Sequence, residues 1–232
     1  MRTHGYKFLL LPLFCAINAV HGAFTIDPAV VTFNTVLGEK TAFVAIANTG
    51  NAPMAISLEI FERVLDLDGE LDRQSMVPSK DFTIYPSEII LKPNENTNVQ
   101  LMYANKQKVT EDKAYVLFSK EVPLSLDEDD EGGIKMSLQT LISYYTVIAL
   151  ETGKEGKLTF VSSKSIGGNK IEVIVENRSG GRVAAGNLSI KTSSDLITDF
   201  TGKKNSIMPG QKRRFTFKYL RPLTSKEVKF IY

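Results

Sequence analysis

Short apolar–polar alternations, each cut off by Gly, Pro, Asn or Asp, run through this chain, and almost no stretch has the 3.6-residue periodicity of a helix. A period of two gives every strand one face that must be covered, so such a chain closes sheet against sheet. The candidate strands are residues 42–48, 54–64, 88–91, 98–103, 114–121 and 134–150, then 157–163, 170–177, 186–192, 212–219 and 227–231. Turn chemistry separates them at Asn51-Ala-Pro53, Asp68-Gly69, Lys92-Pro-Asn94 and Met208-Pro-Gly210. The expected fold class is all-β, with two tandem immunoglobulin-like β-sandwich domains.

Residues 1–22 stand apart. Arg2 and Lys7 precede the apolar run 8–14, and small residues lead to Val20-His21-Gly22, which is the order of a secretory signal peptide. The run is too short for a membrane span of ~20 residues, and no membrane insertion is expected. Cleavage after Gly22 removes Cys15, His4 and His21, so the mature chain has neither cysteine nor histidine. That excludes disulfides, cysteine nucleophiles, histidine bases and the usual zinc sites. Of 28 basic and 26 acidic groups, Arg2 and Lys7 also depart, leaving the charges balanced. A balanced chain is a poor nucleic-acid binder. The expectation is a non-enzyme without cofactor or metal.

The remaining ~210 residues suit two domains of ~100 each. The polar segment Glu151-Thr-Gly-Lys-Glu-Gly156 follows the longest apolar run. It marks the boundary between a first domain at 23–150 and a second at 151–232. The halves share an order of signals: Asn48-Thr-Gly-Asn51 parallels Asn177-Arg-Ser-Gly180, and Leu91-Lys-Pro-Asn-Glu95 parallels Met208-Pro-Gly-Gln211.

Three charged clusters bear on possible chemistry. Asp66-Leu-Asp68-Gly69-Glu70-Leu-Asp72 has the carboxylates of a calcium loop but not the EF-hand spacing, and Asp-Gly between apolar residues makes a hairpin turn. Asp127-Glu-Asp-Asp-Glu131 repels itself and reads as a solvated loop. Lys212-Arg213-Arg214 opens a strand, where alternation splits it; the expectation is an exposed strand face.

The segment 133–150 is the most informative. Ile134, Met136 and Leu138 alternate with Lys135, Ser137 and Gln139, and share one strand face. Either this face closes the domain's own core, or the strand lends it to another protein's incomplete sheet. An exposed apolar edge otherwise invites self-association.

Several motifs in order resemble the PapD-like family of bacterial periplasmic pilus-assembly chaperones, and its archaic branch above all. They are Asn48-Thr-Gly-Asn-Ala-Pro53, the stretch from Phe82-Thr-Ile-Tyr-Pro86 through Leu91-Lys-Pro-Asn-Glu95 to Val99-Gln-Leu101, Tyr115 to Glu121-Val-Pro123, Leu138-Gln-Thr140, and Ile207-Met-Pro-Gly-Gln-Lys-Arg-Arg214. The resemblance implies a periplasmic chaperone that binds pilus or fibre subunits by donor-strand complementation and delivers them to an outer-membrane usher. Ile134, Met136 and Leu138 would be the donated side chains. Members carry two basic residues in the interdomain cleft that anchor the subunit's C-terminal carboxylate. Aligning Phe33 and Leu138-Gln-Thr140 puts Val30 and Ser143 at those positions, and Val147 where members carry an arginine. Lys120, Lys135 and Arg182 are the available substitutes. The alternative is a secreted two-domain adhesion or structural module whose strand is wholly internal.

Overall fold

The computed structural model describes residues 24–123, 141–191, 196–219 and 229–231. The strands of its first half are β1 (Phe24–Asp27), β2 (Val30–Asn34), β3 (Thr41–Asn48), β4 (Met54–Glu62), β5 (Phe82–Tyr85), β6 (Glu88–Leu91), β7 (Asn96–Tyr103), β8 (Lys113–Val122) and β9 (Ser143–Glu151). One sheet runs β1-β3-β7-β5 and the other β2-β9-β8-β4-β6. Inward residues of both sheets form one core, with Val44 and Ile46 facing Ile56, Leu58, Leu117, Ile148 and Leu150. Full burial of each such aliphatic side chain contributes about 1.5–3 kcal/mol.

The second half holds β10 (Leu158–Gly167), β11 (Lys170–Asn177), β12 (Ser189–Lys191), β13 (Leu196–Ile197), β14 (Phe200–Thr201), β15 (Lys212–Lys218) and β16 (Lys229–Ile231). They form the sheets β10-β11-β15-β14 and β13-β12-β16 around a separate core that includes Ile171, Val173, Val175, Ile190, Phe215 and Phe217. No α-helix occurs among the described residues.

β1, β2, β5, β13 and β14 have no counterpart among the strands expected from periodicity. All have five residues or fewer, too few for alternation to stand out. Pro28 separates β1 from β2, and the chain changes sheets there: β1 pairs with β3 antiparallel, whereas β2 pairs with β9 parallel. The expected strand at 186–192 is shorter, because Ala185–Asn187 form a 3₁₀ turn.

The parallel between the halves is a repeated hydrogen-bond network. Asn48, 1% exposed, donates from Nδ2 to the carbonyls of Ala52 (2.9 Å) and Leu91 (3.1 Å) and accepts from Gly50 N (2.9 Å). Asn177, 0% exposed, donates to Gly181 O (2.8 Å) and Ile207 O (2.9 Å) and accepts from Ser179 N (3.0 Å). The backbones match as well: Asn48 N donates to Glu95 O and Asn94 N to Asn48 O, just as Asn177 N donates to Gln211 O and Gly210 N to Asn177 O. Asn94 and Gly210 both have positive φ, at 62° and 77°, the backbone for which Asn and Gly are suited.

The basic cluster corrects one expectation. Alternation does split it, but Arg213 is 0% exposed rather than part of an exposed face. It shares its face of β15 with Phe215 and Phe217. Past the end of that core, the Asp68-Gly69 turn of the first half covers it: a Cβ on Gly69 would lie 1.7 Å from Arg213 Nη1.

The two halves are joined again near the polar segment. Asp112, 6% exposed, accepts from Thr152 N (2.7 Å), Thr152 Oγ1 (2.7 Å) and Arg182 N (2.9 Å). Its own N–H donates to Gly180 O (2.8 Å), and Arg182 pairs with Glu151 at 2.7 Å.

Candidate functional site

β9 is covered unequally on its two edges. Along β8 it pairs from Ser143 to Leu150, and the register continues upstream, where Glu121 N donates to Ile142 O (3.0 Å) and Ile142 N to Glu121 Oε2 (3.2 Å). On the other edge β2 pairs only with Val147 to Glu151. Among the described residues, Ser143 to Thr146 therefore have no strand partner on that side. Unpaired backbone donors and acceptors of this kind form a template for an added strand.

Alternation fixes the faces of this edge. Ile142, Ile148 and Leu150 join the first core, and Tyr144 stacks edge-on against buried Phe24 at 4.8 Å. Ile134, Met136 and Leu138 have the same even numbering as these inward residues, and lie outside the described residues.

Ser143, Tyr145 and Val147 project from the opposite, outer face. There Ser143 lies opposite Lys120 of β8, and Lys120 lies opposite Ser57 of β4. One step along, Phe61, Phe118 and Tyr145 form an aromatic row, with ring centroids 6.3 and 4.9 Å apart. Arg73 lies over the Tyr145 ring, 4.8 Å from its centroid. Lys120 and Arg73 form no ion pair among the described residues. Two cations without an ion pair among the described residues thus lie near the start of the open edge. Glu59, the nearest acid of β4 on that face, is opposite Phe118 and not opposite Lys120.

Residues 23–144 match the family model of the pili and flagellar-assembly chaperones, PapD N-terminal domain. The chain belongs to this family. Solved chaperones share its fold. The class 5 fimbriae chaperone CfaA is 13% identical, with 90% of this chain and 97% of that one covered at a TM-score of 0.57. The chain of the CsuC–CsuE chaperone–tip adhesion subunit pre-assembly complex, from the archaic Csu pili of Acinetobacter baumannii, is 12% identical with the same coverages and score. The E. coli chaperone DraB is 13% identical, with 89% and 87% covered and a TM-score of 0.53. A search of curated proteins finds no match.

The two positions aligned above with the family's basic residues lie near this edge. Val30 is on β2 beside Val147, 55% exposed, and Ser143 is exposed at the start of β9. Of the candidate substitutes, Lys120 is directly opposite Ser143. Arg182 is engaged with Glu151 at the far end of β9, about 26 Å along the strand at ~3.3 Å per residue. Lys135 lies outside the described residues. Sequence reasoning missed Arg73, which is 72 positions upstream of Tyr145 and belongs to no motif. Only the shared parity of Ser143 and Tyr145 pointed to that face.

Proposed function

We propose that this family member is a periplasmic chaperone that completes the fold of fibre subunits by strand donation and passes them to an outer-membrane usher. One observation supports the reading: β2 covers β9 only from Val147 onward, and upstream of that open edge the sequence carries Ile134, Met136 and Leu138, which share the even numbering of the inward residues. A subunit lacking a strand would pair its backbone with this edge and bury those three side chains. At about 1.5–3 kcal/mol each, they supply substantial affinity without any chemical step.

Lys120, with Arg73 over the neighbouring Tyr145 ring, takes over the carboxylate anchor that Val30 and Ser143 cannot provide. The charge has moved one strand over, from β9 to its cross-strand neighbour. At an exposed site each such contact contributes about 1 kcal/mol, so it orients the subunit more than it binds it. The signal-peptide reading of residues 1–22 supports a periplasmic location.

The test is co-purification of the tagged chain from cells producing its fibre subunit. Ile134→Asp, Met136→Asp and Leu138→Asp should each release the subunit while the unfolding midpoint of the chaperone stays unchanged. A complex that survives all three changes refutes strand donation through this face. A chain that purifies alone, as a stable monomer, is instead a two-domain structural module.

A further inference from the structure

The turn that covers Arg213 has a second consequence, because the chain leaving it carries Arg73. Its tip is built locally. Asp66 Oδ1 accepts from Asp68 N and Glu70 N, both at 2.9 Å, and Gly69 N donates to Asp66 O at 3.1 Å. Leu65 and Leu71 form a bridge, and Asp72 N donates to Val64 O at 3.0 Å. Asp72 then holds the next turn: its carboxylate accepts from Gln74 N (3.2 Å) and Ser75 Oγ (2.6 Å), with Arg73 between them. These bonds make the stretch from the tip to Arg73 one hydrogen-bonded unit.

The second domain grips the tip of that unit. Arg213 Nη1 donates to Asn205 Oδ1 (2.6 Å), and Asn205 Nδ2 donates to Gly69 O (3.0 Å). Arg214 N donates to Leu67 O (2.7 Å), Lys203 pairs with Glu70 (3.2 Å), and Arg214 reaches Asp68 at 3.7 Å. Gly69 has φ +83° and no room for a side chain against Arg213. The grip is close but strained electrostatically. Burial and the neighbouring Arg63 both push the Arg213 guanidinium towards giving up its proton, and Asp66 and Asp68 oppose them. Its Nε and Nη2 have no hydrogen-bond partner.

We propose that the second domain positions the cation of the first: Arg213 and Asn205, by holding Gly69, set Arg73 over Tyr145. Arg213 and Asn205 are positioning residues that touch no subunit. The meaning of Arg73 as part of a subunit anchor rests on the function proposed above, but its placement does not.

The experiment reads the placement directly. In the full-length protein with labelled arginine, the Arg73 δ-protons should be shifted upfield by the Tyr145 ring, and Tyr145→Leu gives the value without the ring. Arg213→Met and Asn205→Ala should each move the Arg73 signal most of the way to that value. Asn205→Ala guards against a folding failure of Arg213→Met, because Asn205 is only half-buried in a loop. An Arg73 signal that stays at its wild-type position in the folded Asn205→Ala variant overturns the proposal. Subunit binding is measured on the same samples. Arg213→Met should weaken it by the same factor as Arg73→Met, with the double variant no weaker than either. Loss of the ring shift with unchanged subunit affinity upholds the positioning and removes Arg73 from the anchor.

Discussion

Asp112 is the residue through which the second attachment between the domains is most easily broken. Replacing it with alanine strands three donors at once: Thr152 N, Thr152 Oγ1 and Arg182 N. Hydrogen bonds to a charged group contribute about 1.5–3 kcal/mol each. The three share one carboxylate, and water can enter beside half-buried Thr152, so they do not add. We expect Asp112→Ala to cost about 3–4 kcal/mol. Asp112→Asn is the informative control. An amide oxygen turned to Thr152 keeps two of the bonds but presents an NH₂ group to Arg182 N, donor against donor; the expected cost is about 2 kcal/mol. Urea unfolding followed by circular dichroism and tyrosine fluorescence measures both, the chain having eight tyrosines and no tryptophan. In the alanine variant the single transition should separate into two as the domains uncouple, and proteolysis between residues 151 and 156 should accelerate. If both variants stay within about 0.5 kcal/mol of wild type, an effect typical of an inert surface change, with unaltered proteolysis, the reasoning is wrong.

The duplicated turn predicts that Asn48→Ala and Asn177→Ala each cost about 2–3 kcal/mol in urea unfolding, since each removes at least three hydrogen bonds made by a buried side-chain amide. Hydrogen exchange should place the first loss in the first domain and the second loss in the other. Gly181→Ala should lower the thermal midpoint by several degrees, because its Cβ would lie 2.0 Å from Lys154 O. Burial first, and then the hydrogen bond from its hydroxyl to Asp81, raise the Tyr115 pKa above the ordinary tyrosine range. The folded state therefore keeps a proton that the unfolded state loses above about pH 10, so stability is full below that pH and falls as pH rises past it. In Tyr115→Phe the decline measured between pH 10 and 11.5 should be shallower by up to about 1.4 kcal/mol per pH unit. An unchanged slope refutes the assignment.

Much of the architecture was written in local pattern. The alternation of β4, β8, β11 and β15 marked their inward residues, and the paired motifs at Asn48 and Asn177 announced a repeat whose hydrogen bonds coincide almost atom for atom. The Asp68-Gly69 turn was equally legible, since its bonds lie within a few residues. Strands such as β1 and β2 were not, because five residues or fewer carry too little period; their pairing depends on β3 and β9, far along the chain.

For the faces of the site, the sequence by itself determined only parity: Ser143 and Tyr145 share one, and Ile134, Met136 and Leu138 carry the even numbering of the inward residues of β9. It also determined that Val30 and Ser143 carry no charge. Only the tertiary structure decided which cations lie near that face. Lys120 arrives through the register of β8 against β9, and Arg73 through a hairpin whose tip is held by the other domain. Arg213 shows the same limit from the opposite side. Alternation correctly separated it from Lys212 and Arg214, yet its burial depends on a turn 144 residues upstream. Side-chain direction is a local property of the backbone; what covers a side chain, or what charge lies across from it, is set by contacts between segments distant in sequence.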